Sequence, residues 1–227
     1  VLLLFIADPA KMAITDKNKG AHGGMSAFLV DKDTPGYDVV RPIPMLGGHS
    51  TYEIEMRDCR VPGWKLLGEE GKGLRHVFAG LNPERVIAAA INNGISRFAI
   101  EKGAQQSKDR SVWGTPIGAH QGIAHPLAKA YIVVQQARLM TARAAALSDA
   151  GSPDAGEIAN MAKLAAADAS LEALDQAIQI HGGNGLAIEY GLADLWFIAR
   201  LHKTAPVSRE MILNFVAQHS LGLPKSY

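Results

Sequence analysis

Glu84 stands in the segment GLNPERVIAAAINNG, one place after Pro83 and directly before Arg85. A carboxylate inside an apolar run has two readings. It can be a helix-start carboxylate facing the positive end of the dipole. It can instead be a general base held poised by partial burial, which raises a carboxyl pKa unless a cation such as Arg85 compensates. Leu74, Val77, Leu81, Ala88, Ile91, Ile95 and Phe98 recur at the spacing of one helix face, and Glu84 falls on that stripe between Leu81 and Ala88.

Two further segments hold residues able to bind a phosphorylated cofactor. DRSVWGTPIGAHQGI sets Arg110 close to Trp113, and a guanidinium beside an aromatic plane suits a pyrophosphate with a ring system. The same pair can be a surface arginine and an anchoring tryptophan. QIHGGNG carries closely spaced glycines whose backbone N–H groups could approach a phosphate or ribose. A helix C-cap followed by a turn explains them as well. The segment is not G-x-G-x-x-G after a strand, so it is no Rossmann fingerprint. The eight histidines show no metal-ligand spacing, and no G-x-S-x-G occurs for serine catalysis. A metal site is not expected.

The elements that must position these groups change character along the chain. VLLLFIA and SAFLV are short strand-like runs, TYEIEMRDCRV partly alternates, and HGG, DTPGYD and LGGHS mark turns, so an antiparallel sheet is expected first. After VPGWKLLGEEGKG the period becomes 3.6. One helix is expected over 72–108, interrupted or kinked near Pro83, and a second over 119–149. A third begins at SPDAGE with Ser152 as N-cap and Pro153 as first helical residue. Its stripe is Met161, Leu164, Leu171, Leu174 and Ile178, and HGGNG ends it. Short helices near 191–203 and 207–220 follow. Long helices with short connections imply an antiparallel bundle. The fold class is therefore α+β: a partial antiparallel β domain over 1–68, then an antiparallel four-helix bundle with short extra helices over 69–227.

Totals narrow the function classes. Lys and Arg number 23 against 22 Asp and Glu, without a basic run, so no nucleic-acid partner is expected. Cys59 is the single cysteine, which points to a reducing compartment. VLLLFIA is too short to span a membrane and lacks a signal peptide's basic flank. A chain opening directly in such a run, without Met, reads as a piece of a longer protein.

SAFLVDKDTPGYDV, EMRDCRVPGWKLLGEEGKG, NPER, DRSVWGTPI with HQGI, and QIHGGNG, in this order and spacing, resemble the acyl-CoA dehydrogenase family. The resemblance covers almost the whole chain: the second half of the family's middle β domain and its C-terminal helical bundle. It implies a flavoenzyme that binds FAD and oxidises an acyl-CoA thioester in fatty-acid or branched-chain catabolism. It further implies a homodimer or homotetramer, an electron-transfer flavoprotein as acceptor, and a cytoplasmic location, or the mitochondrial matrix in a eukaryote. An acyl-CoA oxidase and a non-catalytic relative are the alternatives.

By position, the resemblance makes Arg110, Trp113, Gln121 and the run Gln179, Ile180, His181, Gly182 and Gly183 contacts to the FAD of a neighbouring subunit. Trp113 stands where the family usually has Phe. Ser208, at the family's Thr position, is a further FAD contact, and Asn82 and Arg85 fall where acyl-CoA is touched. The family's usual base belongs to a Glu-Gly-Thr segment, and without gaps its glutamate position is Pro206 here, followed by Val207 and Ser208. A minority, including the isovaleryl-CoA and long-chain types, carries the base on the earlier helix just before an arginine. Glu84–Arg85 fits that place. Proline also lacks the backbone N–H that the family uses there to hold the thioester oxygen.

Overall fold

The computed structural model describes residues 10–48 and 50–225. The opening VLLLFIA lies outside them. The chain forms two compact units that divide between Leu81 and Asn82.

In the first unit, β1 (Ala10–Ile14), β2 (Met25–Leu29) and β5 (Leu66–Leu67) form one antiparallel sheet with β2 at its centre. The short helix α1 (Gly20–Gly24) precedes β2. β3 (Tyr37–Pro44) and β4 (Ser50–Met56) form a separate antiparallel pair, with an irregularity between Val39 and Arg41. β3 carries Pro42 and Pro44, residues that disfavour a central strand, and among the described residues its one neighbour is β4. β4 departs from the half-buried alternation expected of TYEIEM, because its first four residues are all exposed. Met12, Met25 and Ala27 are buried with Val77 and Leu81 of the following helix. Burial thus carries this unit beyond position 68, where the change of hydrophobic period sets the expected boundary.

The long helix α2 runs from Gly73 to Asp109, unbroken through Pro83 rather than interrupted there. Proline forfeits one backbone bond, and the turns on either side keep theirs. A miniature hairpin, β6 (Ser111–Val112) and β7 (Thr115–Pro116), leads to α3 (Gln121–Asp149), which tolerates Pro126 near its start. A turn over 150–154 reverses the chain into α4 (Ala155–His181). Ser152 is not the N-cap. Its Oγ accepts from Asp154 N within the turn, and the helix begins at Ala155, two residues later than expected. Then come α5 (Trp196–Thr204) and α6 (Arg209–Phe215), which passes into one π-helical turn over Val216–Ser220.

The helical core is built on alanine. Ala162, Ala166, Ala169, Ala173 and Ala177 of α4 are at most 1% exposed, packed in one cluster with Ala130, Val134 and Ala137 of α3 and Ala89 and Ala99 of α2. Of the larger residues expected on the buried stripe of α4, only Leu174 is fully covered, and Met161, Leu171 and Ile178 flank the core. Alanine faces bring helix backbones close, so bulky neighbours are displaced to the rim. Buried polar groups fix the register. Ser170 Oγ donates to Asn92 Oδ1 at 2.9 Å, and Asn93 Nδ2 donates to Thr141 Oγ1 at 2.9 Å.

A close-packed alanine face has no room for added methyl groups. Ala173→Leu in the full-length protein should cost about 1–3 kcal/mol by overpacking, read as an earlier denaturant midpoint of the helical circular-dichroism signal. An unchanged midpoint would show that the α4 face has slack.

Candidate active site

The buried seam of α2 steps by four from Leu81 to Arg85, then to Ala88 and Ala89. Arg85 is 3% exposed, whereas Glu84 is turned outward and exposed. The expected place of Glu84 on the buried stripe is therefore corrected: the seam takes the i+4 step to the arginine. Ile91, counted on the same stripe, is 45% exposed. A guanidinium inside a helix bundle needs fixed acceptors. Arg85 Nη1 donates to Asn160 Oδ1 on α4, and Nη2 donates to Asn82 Oδ1 one turn earlier. Burial lowers the Arg85 pKa, and the Glu84 carboxylate opposes that shift.

One turn beyond Asn160, Lys163 is fully buried, and its Nζ donates to Val207 O at 2.6 Å. Burial is the first cause that pulls its pKa down to about 8, and the Arg85 charge adds to it. Asp168 and Glu210 partly offset both. His202 on α5 is lowered by burial and then by Lys163. Its Nδ1 is buried without a hydrogen-bond partner among the described residues. Asp168 also holds Lys203 at 2.5 Å. Ser208 is half-buried and caps α6, its Oγ accepting from Met211 N at 3.3 Å. Asn82, Arg85, Asn160, Lys163 and the 205–208 segment thus form one polar cluster. Asn160, Lys163 and His202 were not singled out in the sequence; their only trace there is a polar pair three apart on an alanine-rich helix.

The second set of residues lies at the other end of α2. Arg110 is exposed just beyond the helix, and its carbonyl accepts from Ile117 N at 2.8 Å, which closes the miniature hairpin. Trp113 and Gly114 form that hairpin's two-residue turn, both with positive φ (53° and 77°). Two such residues are the signature of a type I′ turn. It places Trp113 at 89% exposure, with the edge of its ring against His120. His120 Nε2 is buried without a partner among the described residues, and Gln121 is exposed at the start of α3.

The Gln179–Gly183 run divides. Gln179, Gly182 and Gly183 are exposed. Ile180 and His181 are each 8% exposed, with His181 Nδ1 bonded to Ala177 O at 2.7 Å and its ring against Tyr190. Gly182, at φ 60°, ends α4, which agrees with the C-cap reading. A side chain at Gly182 or Gly183 would meet nothing within 4 Å, whereas one at Gly185 would lie 2.5 Å from Ile178 O. Gly185 is therefore demanded by packing, and the first two glycines leave the backbone open to approach. An exposed guanidinium, an exposed aromatic plane and open glycines fit the FAD that the resemblance implies.

Arg110 follows Glu84 by 26 residues along and just past one helix, a separation of roughly 39 Å at 1.5 Å per residue. The two sets do not meet within one chain.

The family profile described as acyl-CoA dehydrogenase, C-terminal domain, matches residues 71–221. Over 203 residues the chain is 52% identical to the acyl-CoA dehydrogenase fadE12 of Mycobacterium bovis, covering 88% of this chain and 52% of that protein. It spans about half the length of the curated relatives it matches. Butyryl-CoA dehydrogenase from Megasphaera elsdenii superposes with a TM-score of 0.82 at 32% identity, over 92% of this chain and 55% of that one. PigA, solved with FAD and proline, superposes at 0.87 with 26% identity, over 93% and 55%. Among the described residues no helix is long and apolar enough to cross a membrane.

The buried ammonium makes a pH signature. Folding lowers the Lys163 pKa from 10.5 to about 8, so between those values the unfolded chain binds more protons. Stability should therefore rise with pH across that window and lose this contribution as pH falls to about 8. Denaturant titrations of wild type and Lys163→Met at several pH values check it, with the rise expected only in wild type. Parallel pH profiles would show that Lys163 titrates normally.

Proposed function

This chain belongs to the acyl-CoA dehydrogenase family, and from that premise we propose that the whole protein is an FAD-dependent enzyme for α,β-dehydrogenation of an acyl-CoA. Residues 1–68 are assigned to the family's middle β domain and 69–227 to its C-terminal bundle. The observation that carries the reading is the pairing of an exposed Glu84 with a buried, doubly bonded Arg85 on a rigid helix, in a chain with proline at the family's usual base position. Glu84 takes the α-proton of the thioester. Its carboxylate is free to face a substrate because the arginine occupies the buried place on the seam. Arg85 orients Asn82, and its proposed contact with acyl-CoA runs through that side chain. FAD, when bound, supplies the acceptor for the β-hydrogen.

The second reading favoured by an observation is a non-catalytic acyl-CoA or FAD binder, since Pro206 removes both the usual carboxylate and a backbone donor. An oxidase shares Glu84 and differs by forming peroxide in air without another acceptor. Reoxidation by an electron-transfer flavoprotein and a cytoplasmic setting complete the proposal.

The roughly 39 Å between Glu84 and Arg110 supports FAD contacts made between copies. Arg110, Trp113, Gln121, Gln179 and Gly182–Gly183 of one chain would then serve the cofactor beside Glu84 of another, in a homodimer or homotetramer. Ile180 and His181 contribute by holding that turn rather than through exposed side chains, and Ser208 through its place two residues after Pro206.

Glu84→Gln in the full-length protein keeps the shape but cannot accept a proton. Anaerobic flavin bleaching at saturating acyl-CoA should slow by about 10²–10⁴-fold while FAD content persists. Near-wild-type bleaching would return Glu84 to a helix-surface carboxylate, and a wild type bleached by no acyl-CoA would favour the non-catalytic reading. Arg110→Ala should lower FAD retention and oligomer size together, measured by absorbance after gel filtration, because a planar guanidinium binds pyrophosphate with two hydrogen bonds. Unchanged values for both would make Arg110 an ordinary surface residue.

A further inference from the structure

Lys163 does more than fill space in an alanine core. Its Nζ reaches the main-chain carbonyl of Val207 from α4, across 44 residues of sequence. Val207 lies between Pro206, which has no N–H to give, and Ser208, whose side chain is committed to Met211 N. Proline leaves this short connection with one backbone donor fewer to hold it. The carbonyl of Val207 is aimed at Lys163, so in this trans peptide the N–H of Ser208 is turned the opposite way. One hydrogen bond therefore fixes the orientation of a whole peptide unit.

The same lysine stands one helical turn from Asn160, the acceptor of Arg85, which follows Glu84 directly. The 205–208 segment and the turn of α2 that carries Glu84 are thus tied to adjacent turns of α4. We propose that Lys163 is a positioning residue, which fixes the 205–208 segment against α4 in register with the turn of α2 that carries Glu84. The proposal rests on the dehydrogenase reading only for its effect on rate. Charged groups that face Lys163 are Arg85 from α2, Asp168 on its own helix, and Glu210 from α6, while His202 from α5 feels its charge. Lys163 Nζ is directed at a neutral main-chain acceptor, and Asp168 and Glu210 only partly offset its burial, so this ammonium is placed to point a donor.

The experiment uses the full-length holoenzyme with Lys163→Met and Lys163→Arg. Methionine keeps much of the side-chain volume and removes the donor. Amide exchange across 205–211 should quicken at least about tenfold, the scale of a hydrogen bond from a charged donor, while 158–174 of α4 stays protected. Anaerobic flavin reduction at saturating acyl-CoA should slow by about the same order with the Kd for acyl-CoA little changed, and arginine should recover part of both. Unchanged exchange across 205–211, or exchange that quickens equally along α4, overturns the proposal. A wild type reduced by no acyl-CoA fails the dehydrogenase reading instead, and the exchange arm still decides the role of Lys163. Should the methionine variant not fold, wild type decides. Opening of 205–208 rehydrates Lys163, whose pKa is held at about 8, and takes up a proton above that pH. Protection of the segment, corrected for intrinsic exchange, should then rise several-fold per pH unit, and a flat profile overturns the proposal.

Discussion

Two buried cations on a small-residue core constrain everything around them. Arg85 and Lys163 lie where ionic groups are rarely tolerated. Amide oxygens hold each of them: Asn160 and Asn82 for the guanidinium, the Val207 carbonyl for the ammonium. Such acceptors are directional, and a buried charge that loses one leaves several kcal/mol of desolvation uncompensated, on the order of 3–5 kcal/mol for a broken buried pair. The helices therefore cannot slide past one another by a turn without stranding a charge. The alanine face of α4 brings the helices close, and the polar cluster selects one register among the close-packed alternatives.

That register has a consequence for the candidate site. The seam that takes Arg85 inward turns Glu84 outward, to an exposed place on the same helical turn. At the far end of α2 the logic is different. Trp113 is presented to solvent by a tight turn in a left-handed conformation that a bulky residue adopts at a cost. Strain combined with exposure is difficult to explain by packing within the chain. It agrees with the proposal that the indole covers a cofactor held by another copy.

The legible parts of the sequence were those set by periodicity and by glycine. The limits of the three long helices fall within two residues of the expectation, because an amphipathic period survives small errors of phase, whereas the short helix expected near 191–203 begins only at Trp196. Phase itself was less secure. Placing Glu84 rather than Arg85 on the buried seam differed by one residue, and only packing against α4 decides between an i+3 and an i+4 step. The strand pair β3 and β4 is half hidden because two prolines mask the first strand, β3 buries only Tyr37, and β4 buries none of its first four residues. The Trp113–Gly114 turn lacked the asparagine or aspartate that usually announces type I′ geometry. Lys163 was invisible for a deeper reason: a lysine in a helix reads as surface, and its burial depends on a carbonyl 44 residues away.

The glycines of QIHGGNG show how one short motif can answer to two constraints at once. Gly185 is fixed by the close approach of its own helix end, since any side chain there would strike the Ile178 carbonyl. Gly182 needs its left-handed φ to terminate α4, yet the space around it and around Gly183 is open. A turn required only for capping would need one such residue, and Gly183 has ordinary φ with no neighbour to avoid. Its lack of a side chain is unexplained by the fold of this chain. Under the proposed function, a ligand approaching the backbone there would account for it, so the C-cap and cofactor readings of the motif are compatible.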